Sequence, residues 1–293
     1  MKRIATVFAL CGPLVGQVNL VTNGDFQSGN TNGWTLRGHA QLPGVMSFDT
    51  TGIGASLGFS LRPGCRANQA PPCVYSMEQD VLLVKGAKYL LTADIAMINT
   101  EVLHAVDGGR IQFHADGVML KKVQFGNPYA KIIRRQRVCI RFSPVSSGSR
   151  PLRISFDRNW GARALTPRHH IDNIRLVIAP RQPILCPRGE RKVGANTSLR
   201  LDSYGTPSAR FGAFVAFGAR PPIVVPGLVG TWSLGSPNLL VFAGLFDSGG
   251  AHSISIPLAV AASLAGVPLH WQGVEVTGRT GSIGEPAQFG VYK

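Results

Sequence analysis

The sequence has few charged residues, and acidic ones are the scarcest. Charged side chains make up 15% of the 293 residues, with 15 Asp and Glu against 30 Lys and Arg, so the formal net charge is +15. An average soluble domain has about 25% charged residues. The chain also lacks the run of about 20 apolar residues that a transmembrane helix needs, because its longest apolar stretch, 256–269, is interrupted by Pro257 and Pro268. We therefore expect no membrane span.

Sequence that favours helices is scarce as well. The chain contains 35 Gly and 20 Pro, residues that break helices and serve turns, while its 44% hydrophobic content excludes disorder of the polar kind. Short alternating segments separated by Gly, Asn, Asp or Pro predict strands. They are 75–84, 88–96, 110–114, 138–142, 152–156 and 171–178, followed by 198–202, 211–217, 239–242, 252–256 and 269–276. We predict an all-β protein of two antiparallel β-sandwich domains.

The N-terminus and one Pro-rich segment divide the chain. Lys2 and Arg3 precede an apolar run over 4–15, a pattern typical of a secretory signal peptide, with a first β-strand as the alternative. Proline cannot join a central strand, so the Pro- and Arg-rich stretch near residue 185 predicts a linker. The predicted organisation is a signal peptide over 1–17, a first sandwich over 18–180, a linker over 181–192 and a second sandwich over 193–293. Export predicts an extracellular protein.

Four cysteines follow the predicted signal peptide, and an exported protein uses cysteines mainly in disulfides. Cys65 and Cys73 flank a short Pro-rich loop, which favours a bridge between them. Cys139 lies in a strand-like segment and is either a buried thiol or the partner of Cys186.

Three motifs stand in order in the upstream half. They are Asn-Leu-Val-Thr-Asn-Gly-Asp-Phe over 19–26 with Gly-Trp at 33–34, a Gln strand leading through a Gly turn to a Tyr strand over 76–89, and Ile-Asp-Asn-Ile-Arg-Leu over 171–176. This half resembles the secreted jelly-roll carbohydrate-binding modules of families four, nine and twenty-two. The resemblance implies a jelly roll that binds polysaccharide without catalysis.

The same resemblance implies a structural calcium ion that joins the first and last strands. Carried over to this sequence, its side-chain ligands are Asp25 and Asp172, and Gly24 offers a carbonyl oxygen. These are the oxygen donors that a hard cation prefers. Gln27 stands where the family commonly has Glu, so one carboxylate of the pattern is missing here.

The downstream half resembles a C-terminal domain of unknown function found in secreted bacterial proteins. The resemblance rests on 199–202, 246–250, 256–257 and 264–272. It implies an architecture and a compartment but no activity, and it leaves protein contacts as an open role for this domain.

Aromatic faces and polar side chains together hold neutral sugars, which suits the mixed character of small-ligand sites. Trp160 is the first ligand-binding candidate because it lies in a polar, Gly-containing segment rather than in an alternating strand. Tyr129 and Tyr75 are the next aromatic candidates, with Arg158 and Asn127 as polar ones. Hydrophobic anchoring is the alternative role for each aromatic side chain.

The positive charge is concentrated in one part of the chain. From 110 to 192 there are 18 Lys and Arg against four acidic residues, a net charge of +14. Strand alternation would place Arg135, Arg137 and Arg141 on one face. That face is either a solvated surface or a platform for an acidic polysaccharide, because guanidinium groups bind carboxylate and sulfate well. No nucleic-acid-binding motif is present, so we expect no nucleic-acid partner.

The motifs that suggest catalysis are weak. Ser56 fits a nucleophile-elbow pattern, but no helix follows it. His169 and His170 precede Asp172, and alternation allows only one of these histidines to share a face with that carboxylate. The acidic residues are scattered singly and suggest no glycosidase pair. We predict a secreted, non-catalytic protein that recognises a polysaccharide through its first domain; the alternative is a structural or adhesive extracellular protein that binds no sugar.

Overall fold

A computed structural model describes residues 18–64, 73–99, 107–128, 131–159, 167–179, 183–188, 198–257, 267–284 and 286–290. The regular elements in these ranges are all β-strands, which confirms the predicted all-β class. No helix in them is long and apolar enough to cross a membrane. The predicted signal peptide over 1–17 lies outside the described residues.

Ten strands form the first domain as two antiparallel five-stranded sheets. We call them the β4 sheet, in the order β1-β4-β9-β6-β7, and the β5 sheet, in the order β2-β3-β10-β5-β8. The strands are β1 (Thr35–Gly38), β2 (Gln41–Phe48), β3 (Ser56–Arg62), β4 (Cys73–Leu83), β5 (Tyr89–Asn99), β6 (Arg110–Ala115), β7 (Val118–Gln124), β8 (Ile132–Phe142), β9 (Gly148–Arg158) and β10 (Arg168–Ile178). From β3 to β10 the chain alternates between the sheets except at the β6–β7 hairpin, which gives the two interlocked Greek keys of a jelly roll.

The core between the two sheets is aromatic. The ring of Phe59 on β3 lies 6.1 Å from those of Phe26, Tyr75 and Phe156, measured between ring centroids. Burying one such side chain contributes about 1.5–3 kcal/mol. Because strand residues alternate between faces, this packing fixes which side chains of β3, β5, β8 and β10 point away from the core.

Residues 19–26, whose motif resembles the first strand of the carbohydrate-binding modules, form turns and bends instead. Asn23 and Phe26 have φ angles of 50° and 53°, which extended strands do not have. Hydrogen bonds still hold this segment against β10. The main-chain N–H of Leu176 donates to Asn19 Oδ1 at 2.9 Å.

The second domain is also a sandwich. Its strands are β11 (Ile184–Arg188), β12 (Ser198–Tyr204), β13 (Arg210–Ala216), β14 (Ala219–Val224), β15 (Leu228–Val229), β16 (Thr231–Leu234), β17 (Asn238–Leu245), β18 (Ala251–Pro257), β19 (Pro268–Thr277), β20 (Thr280–Ile283) and β21 (Ala287–Gly290). The β11-β12-β18 sheet and the sheet around β13 and β19 share a core in which Leu201 and Ile254 meet Phe211 and Trp271. The pairing is antiparallel except between β15 and β20.

Part of the predicted linker is a strand. Ile184–Arg188 form β11, which pairs with β12 and places Pro187 opposite Leu201. The linker prediction was wrong for these residues because β11 is an edge strand. Proline is tolerated there, since its missing N–H removes no central hydrogen bond.

A disulfide joins Cys139 on β8 to Cys186 on β11, with their Cα atoms 6.3 Å apart. It settles the open alternative for Cys139 and ties the first domain to the first strand of the second. Cys65 lies outside the described residues, so the Cys65–Cys73 bridge stays a prediction.

Candidate functional site

The face of the β5 sheet that points away from the core carries charged side chains in register. Leu91, Ala93 and Ile95 of β5 enter the core, so Asp94 between them points outward. Asp94 lies opposite Arg137 of β8 on one side and opposite Asp172 of β10 on the other. Three neighbouring strands therefore place a carboxylate, an arginine and a second carboxylate side by side.

The predicted alternation of β8 is confirmed. Val138 and Ile140 are buried in the core, and Arg135, Arg137 and Arg141 lie on the opposite face of the strand. The guanidinium group of Arg141 lies 5.5 Å from the ring centroid of Tyr204 on β12, so this arginine contacts the second domain. Arg135 and Arg137 remain over the face of the β5 sheet.

Asp94 is buried and only partly satisfied. Its Oδ2 accepts a hydrogen bond from Asn173 Nδ2 at 3.2 Å and lies 3.5 Å from Arg137 Nη1. In the part of the chain that the structure describes, its Oδ1 has no hydrogen-bond partner. A buried acceptor that lacks a partner costs free energy unless a ligand or water supplies the donor.

Asp172 is fully buried, and both of its oxygens are engaged. Ser56 Oγ donates to Oδ2 at 2.5 Å, and the main-chain N–H of Asn173 donates to Oδ1 at 2.7 Å. Burial, together with the charges of Asp94 and Asp25, raises the pKa of Asp172 to about 6 despite the lowering effect of the hydrogen bonds from Ser56 and Asn173. The two opposed carboxylates thus differ in their hydrogen bonds: both oxygens of Asp172 have a donor, whereas Oδ1 of Asp94 has none among the described residues.

A cavity of about 770 Å³ is lined by Asp94, and we call it the Asp94 cavity. Its size is in the range of small-ligand sites. Polar side chains line the side formed by the first domain: Asn19, Asn23, Asp25, Ser56, Thr92, Arg137, Asn173 and Arg175. The second domain supplies the facing wall through Ile184, Leu185, Pro286, Ala287 and Gln288. The cavity therefore offers hydrogen-bond donors and acceptors together, which suits a ligand rich in hydroxyl groups.

A second, smaller cavity of about 190 Å³ lies on the same face, and we call it the Arg62 cavity. It is lined by Met46, Ser47, Phe48, Arg62, Ile98, Arg168 and His170. The His170 ring stacks on Phe48 with 3.9 Å between centroids and an interplanar angle of 14°. Burial lowers the pKa of His170 to about 3, helped by the charges of Arg168, His169 and Arg135, so its imidazole is neutral at pH 7.

Of the two adjacent histidines, His170 shares the outer face with Asp172. His169 points the other way and packs on Phe125, with its Nε2 2.6 Å from the carbonyl oxygen of Gly108. This is the division that strand alternation predicts.

The predicted ligand-binding residues that the structure describes do not meet on this face. Tyr75 is only 5% exposed and belongs to the core, so its ring is unavailable for stacking on a sugar. Arg158 is buried at the end of β9, where its Nε donates to the carbonyl oxygen of Asp107 at 2.7 Å. Asn127 is exposed. Trp160 and Tyr129 lie outside the described residues, so their roles stay predictions.

Asp94 was not predicted as a site residue, although the sequence contains one signal that points to it. Strand β5 reads Tyr-Leu-Leu-Thr-Ala-Asp-Ile-Ala-Met-Ile-Asn, and Asp94 is its single charged residue. A carboxylate within an otherwise apolar strand is rarely buried without a function or a partner. Its partners Arg137 and Asp172 are distant in sequence and meet it only through strand pairing.

The predicted calcium ligands are engaged with other groups. The carbonyl oxygen of Gly24 accepts a hydrogen bond from the N–H of Ile174 at 2.8 Å. Gln27 Nε2 donates to the carbonyl oxygen of Asp25 at 2.9 Å. Among the described residues, no group of three or more His, Cys, Asp or Glu side chains could hold a metal ion. A calcium ion here would depend on main-chain oxygens, and calcium stays a prediction.

No protein-family model matches this chain, and no curated protein matches it. Similar solved structures include TmCBM61 in complex with beta-1,4-galactotriose, with a TM-score of 0.36 and 12% identity over 55% of this chain and 99% of that one. Family 16 Carbohydrate Binding Module-2 has a TM-score of 0.31 and 21% identity over 54% and 99% of the two chains. The CBM22-1 xylan-binding domain from Paenibacillus barcinonensis Xyn10C has a TM-score of 0.33 and 12% identity over 54% and 93%.

Proposed function

We propose that this is a secreted, non-catalytic protein that binds a polysaccharide in the Asp94 cavity. One observation carries the proposal: Asp94, 1% exposed, lines this cavity, and its Oδ1 has no hydrogen-bond partner among the residues that the structure describes. A ligand hydroxyl that donates to this oxygen forms a charge-assisted hydrogen bond, which is stronger than a neutral one. The cavity thus offers binding free energy to a ligand with many hydroxyl groups.

The other groups at the cavity support the same ligand class. The amide of Asn173 carries a donor and an acceptor, as sugar hydroxyls do, whereas the amides of Asn19 and Asn23 are already hydrogen-bonded within the protein. The jelly-roll motifs in the sequence, which resemble carbohydrate-binding modules, favour the same function independently of the cavity.

Asp94 and Asp172 also raise the question of glycoside hydrolysis, because two opposed carboxylates are what that reaction uses. No such pair was expected from the sequence, because its acidic residues are scattered singly. Asp94 and Asp172 are far apart in the chain and meet only through strand pairing. Asp172 is not among the residues that line the Asp94 cavity, and Ser56 and Asn173 hold its carboxylate in place, so it is not positioned to protonate a leaving group there. We therefore propose binding without catalysis.

A glycan array and affinity electrophoresis with the full chain test the proposal. Asp94→Asn keeps the shape of the side chain but removes the charge, so we expect at least a tenfold loss of affinity for the bound glycan. Asp80→Asn is the matched control, because Asp80 is exposed on the β4 sheet. Trp160→Ala tests the ligand contact predicted from the sequence.

Three outcomes separate the alternatives. Folded protein that binds no glycan would favour the structural or adhesive function. Equal binding by wild type and Asp94→Asn would place the ligand elsewhere. Release of reducing ends from a bound glycan, lost in Asp94→Asn, would show that the protein is a hydrolase.

A further inference from the structure

Two arginines meet at the Arg62 cavity without an acidic partner. The register that pairs His169 with Leu61 brings Arg168 of β10 beside Arg62 of β3. Neither takes part in an ion pair within the described residues. Two like charges in a partly dehydrated site are unfavourable unless an anion lies between them. Consistent with this proximity, burial and the charge of Arg62 lower the pKa of Arg168.

Arg62 itself has unused donors. Its Nε and Nη1 are buried, and neither has a hydrogen-bond partner in the described part of the chain. Among the described residues, Arg168 Nη1 lies 2.8 Å from Met46 Sδ, a weak acceptor, and 3.5 Å from Ser60 Oγ, which is too long for a strong hydrogen bond. Both guanidinium groups therefore retain capacity for a stronger acceptor.

His170 adds a third unsatisfied group to the same cavity. Its side chain is 2% exposed, and neither ring nitrogen has a hydrogen-bond partner among the described residues. The stack on Phe48 fixes the plane of the ring. Two guanidinium groups and an imidazole N–H make a set rich in donors, which fits an anionic group with several oxygen acceptors.

The size of the Arg62 cavity limits what it can hold. Its volume of about 190 Å³ is several times the roughly 30 Å³ share of one water molecule. It accommodates a carboxylate or sulfate group with part of the sugar that carries it. The planar fork of arginine matches both anions in a two-point contact.

The two cavities share strand β10. His170 lines the Arg62 cavity, and Asn173 lines the Asp94 cavity. Three residues along a strand span about 10 Å, which is within reach of neighbouring units of a saccharide chain. One oligosaccharide therefore has the length to occupy both.

We propose that the Arg62 cavity binds the carboxylate or sulfate group of an acidic sugar unit, held by Arg62, Arg168 and His170, while neighbouring units lie in the Asp94 cavity. The inference rests on the proposed function and specifies its ligand as an acidic polysaccharide.

Isothermal titration of the full chain tests this with matched pairs of probes. Polygalacturonate is compared with its methyl ester, which keeps the backbone and removes the charge, and dextran sulfate is compared with dextran. We expect the charged member of at least one pair to bind at least tenfold more tightly. The pair that shows the preference identifies carboxylate or sulfate as the bound group.

Variants locate the preference in the cavity. We expect Arg62→Gln and Arg168→Gln each to remove most of the preference for the charged probe over the neutral one. Arg62→Lys keeps the charge without the planar fork and should retain part of this preference. Arg210→Gln is the control, because Arg210 is an exposed arginine on β13 of the second domain. Wild-type affinity for the charged probe should also fall with added salt.

The failures are distinguishable. Equal affinity for charged and neutral probes in both pairs overturns the inference and leaves the proposed function standing. A charge preference that persists in all the Arg62 and Arg168 variants places the anion elsewhere and also overturns it. Folded protein that binds no glycan on the array or in titration overturns the proposed function and the inference with it.

Discussion

Asp94 and Asp172 lie directly opposite each other on β5 and β10, and both are buried. Asp94 also faces Arg137, whereas Asp172 is held by Ser56 and Asn173. The difference leaves one carboxylate oxygen, Asp94 Oδ1, without a partner in the described part of the chain. A residue that lines the Asp94 cavity thus carries a strong acceptor for which the described part of the chain supplies no donor.

His169 should make the protein less stable at acidic pH. Burial lowers its pKa to about 4 from the ordinary 6.5. A histidine with a depressed pKa contributes stability that is present above pH 6.5 and is lost as the pH falls toward 4. Between those values the free energy of unfolding should fall by about 1.4 kcal/mol per pH unit for this group.

Urea unfolding between pH 7 and pH 4.5 measures this contribution. His169→Gln retains a donor for the carbonyl oxygen of Gly108 but does not titrate, so we expect a shallower pH dependence than in the wild type. Other titrating groups are the same in both proteins and cancel in the difference. Parallel profiles would show that His169 is not buried as described.

The Cys139–Cys186 disulfide should stabilise the fold and one wall of the Asp94 cavity. The cysteines are 47 residues apart in sequence, and closing a loop of that length contributes about 4 kcal/mol at most by the chain-entropy estimate. We expect the Cys139→Ser and Cys186→Ser double variant to lose about 2–4 kcal/mol in urea unfolding. It should also bind glycan more weakly, because Ile184 and Leu185 of β11 line the cavity. Unchanged stability would contradict the pairing.

Calcium should raise the melting temperature if the resemblance to carbohydrate-binding modules extends to their metal. A cation near Asp25 and Asp172 would offset the repulsion between these carboxylates, and binding only to the folded state stabilises it. We expect millimolar calcium to raise the melting temperature and excess chelator to lower it, with no response in Asp172→Asn. An identical wild-type transition in calcium and in chelator would eliminate the predicted ion.

Tyr75 should matter for folding and not for binding. Its ring lies 6.1 Å from that of Phe59 in the core. Tyr75→Ala removes this packing and should cost about 3–5 kcal/mol of stability, measured by urea unfolding. Tyr75→Phe should leave glycan affinity within about twofold of wild type, because the ring has no access to the ligand face. A large affinity loss in Tyr75→Phe at unchanged stability would restore Tyr75 as a ligand residue.

The sequence predicted those parts of the fold that depend on local pattern. The alternation in 171–178 and 110–114 corresponds to β10 and β6, and that of β8 correctly placed Arg135, Arg137 and Arg141 on one face. Strand β3 was missed because Ser-Leu-Gly-Phe-Ser-Leu-Arg alternates weakly and contains a glycine. Its central residues are buried on both faces, a property that tertiary packing decides.

The candidate site was harder to predict for a different reason. Asp94 lies opposite Asp172 and Arg137 through strand pairing between segments far apart in sequence. No short sequence motif predicts such a contact. The prediction instead favoured aromatic residues in polar segments, and Tyr75 proved to belong to the core. Pro187 was taken as a sign of a linker, whereas its edge position makes it compatible with a strand.

A crystal structure of the full chain with the oligosaccharide that binds most tightly on the array would test the central claim most directly. The account predicts a sugar hydroxyl within about 2.5–3.0 Å of Asp94 Oδ1, the usual distance for a hydroxyl that donates to an oxygen acceptor. An oligosaccharide bound at another surface, with no sugar atom in the Asp94 cavity, would contradict it.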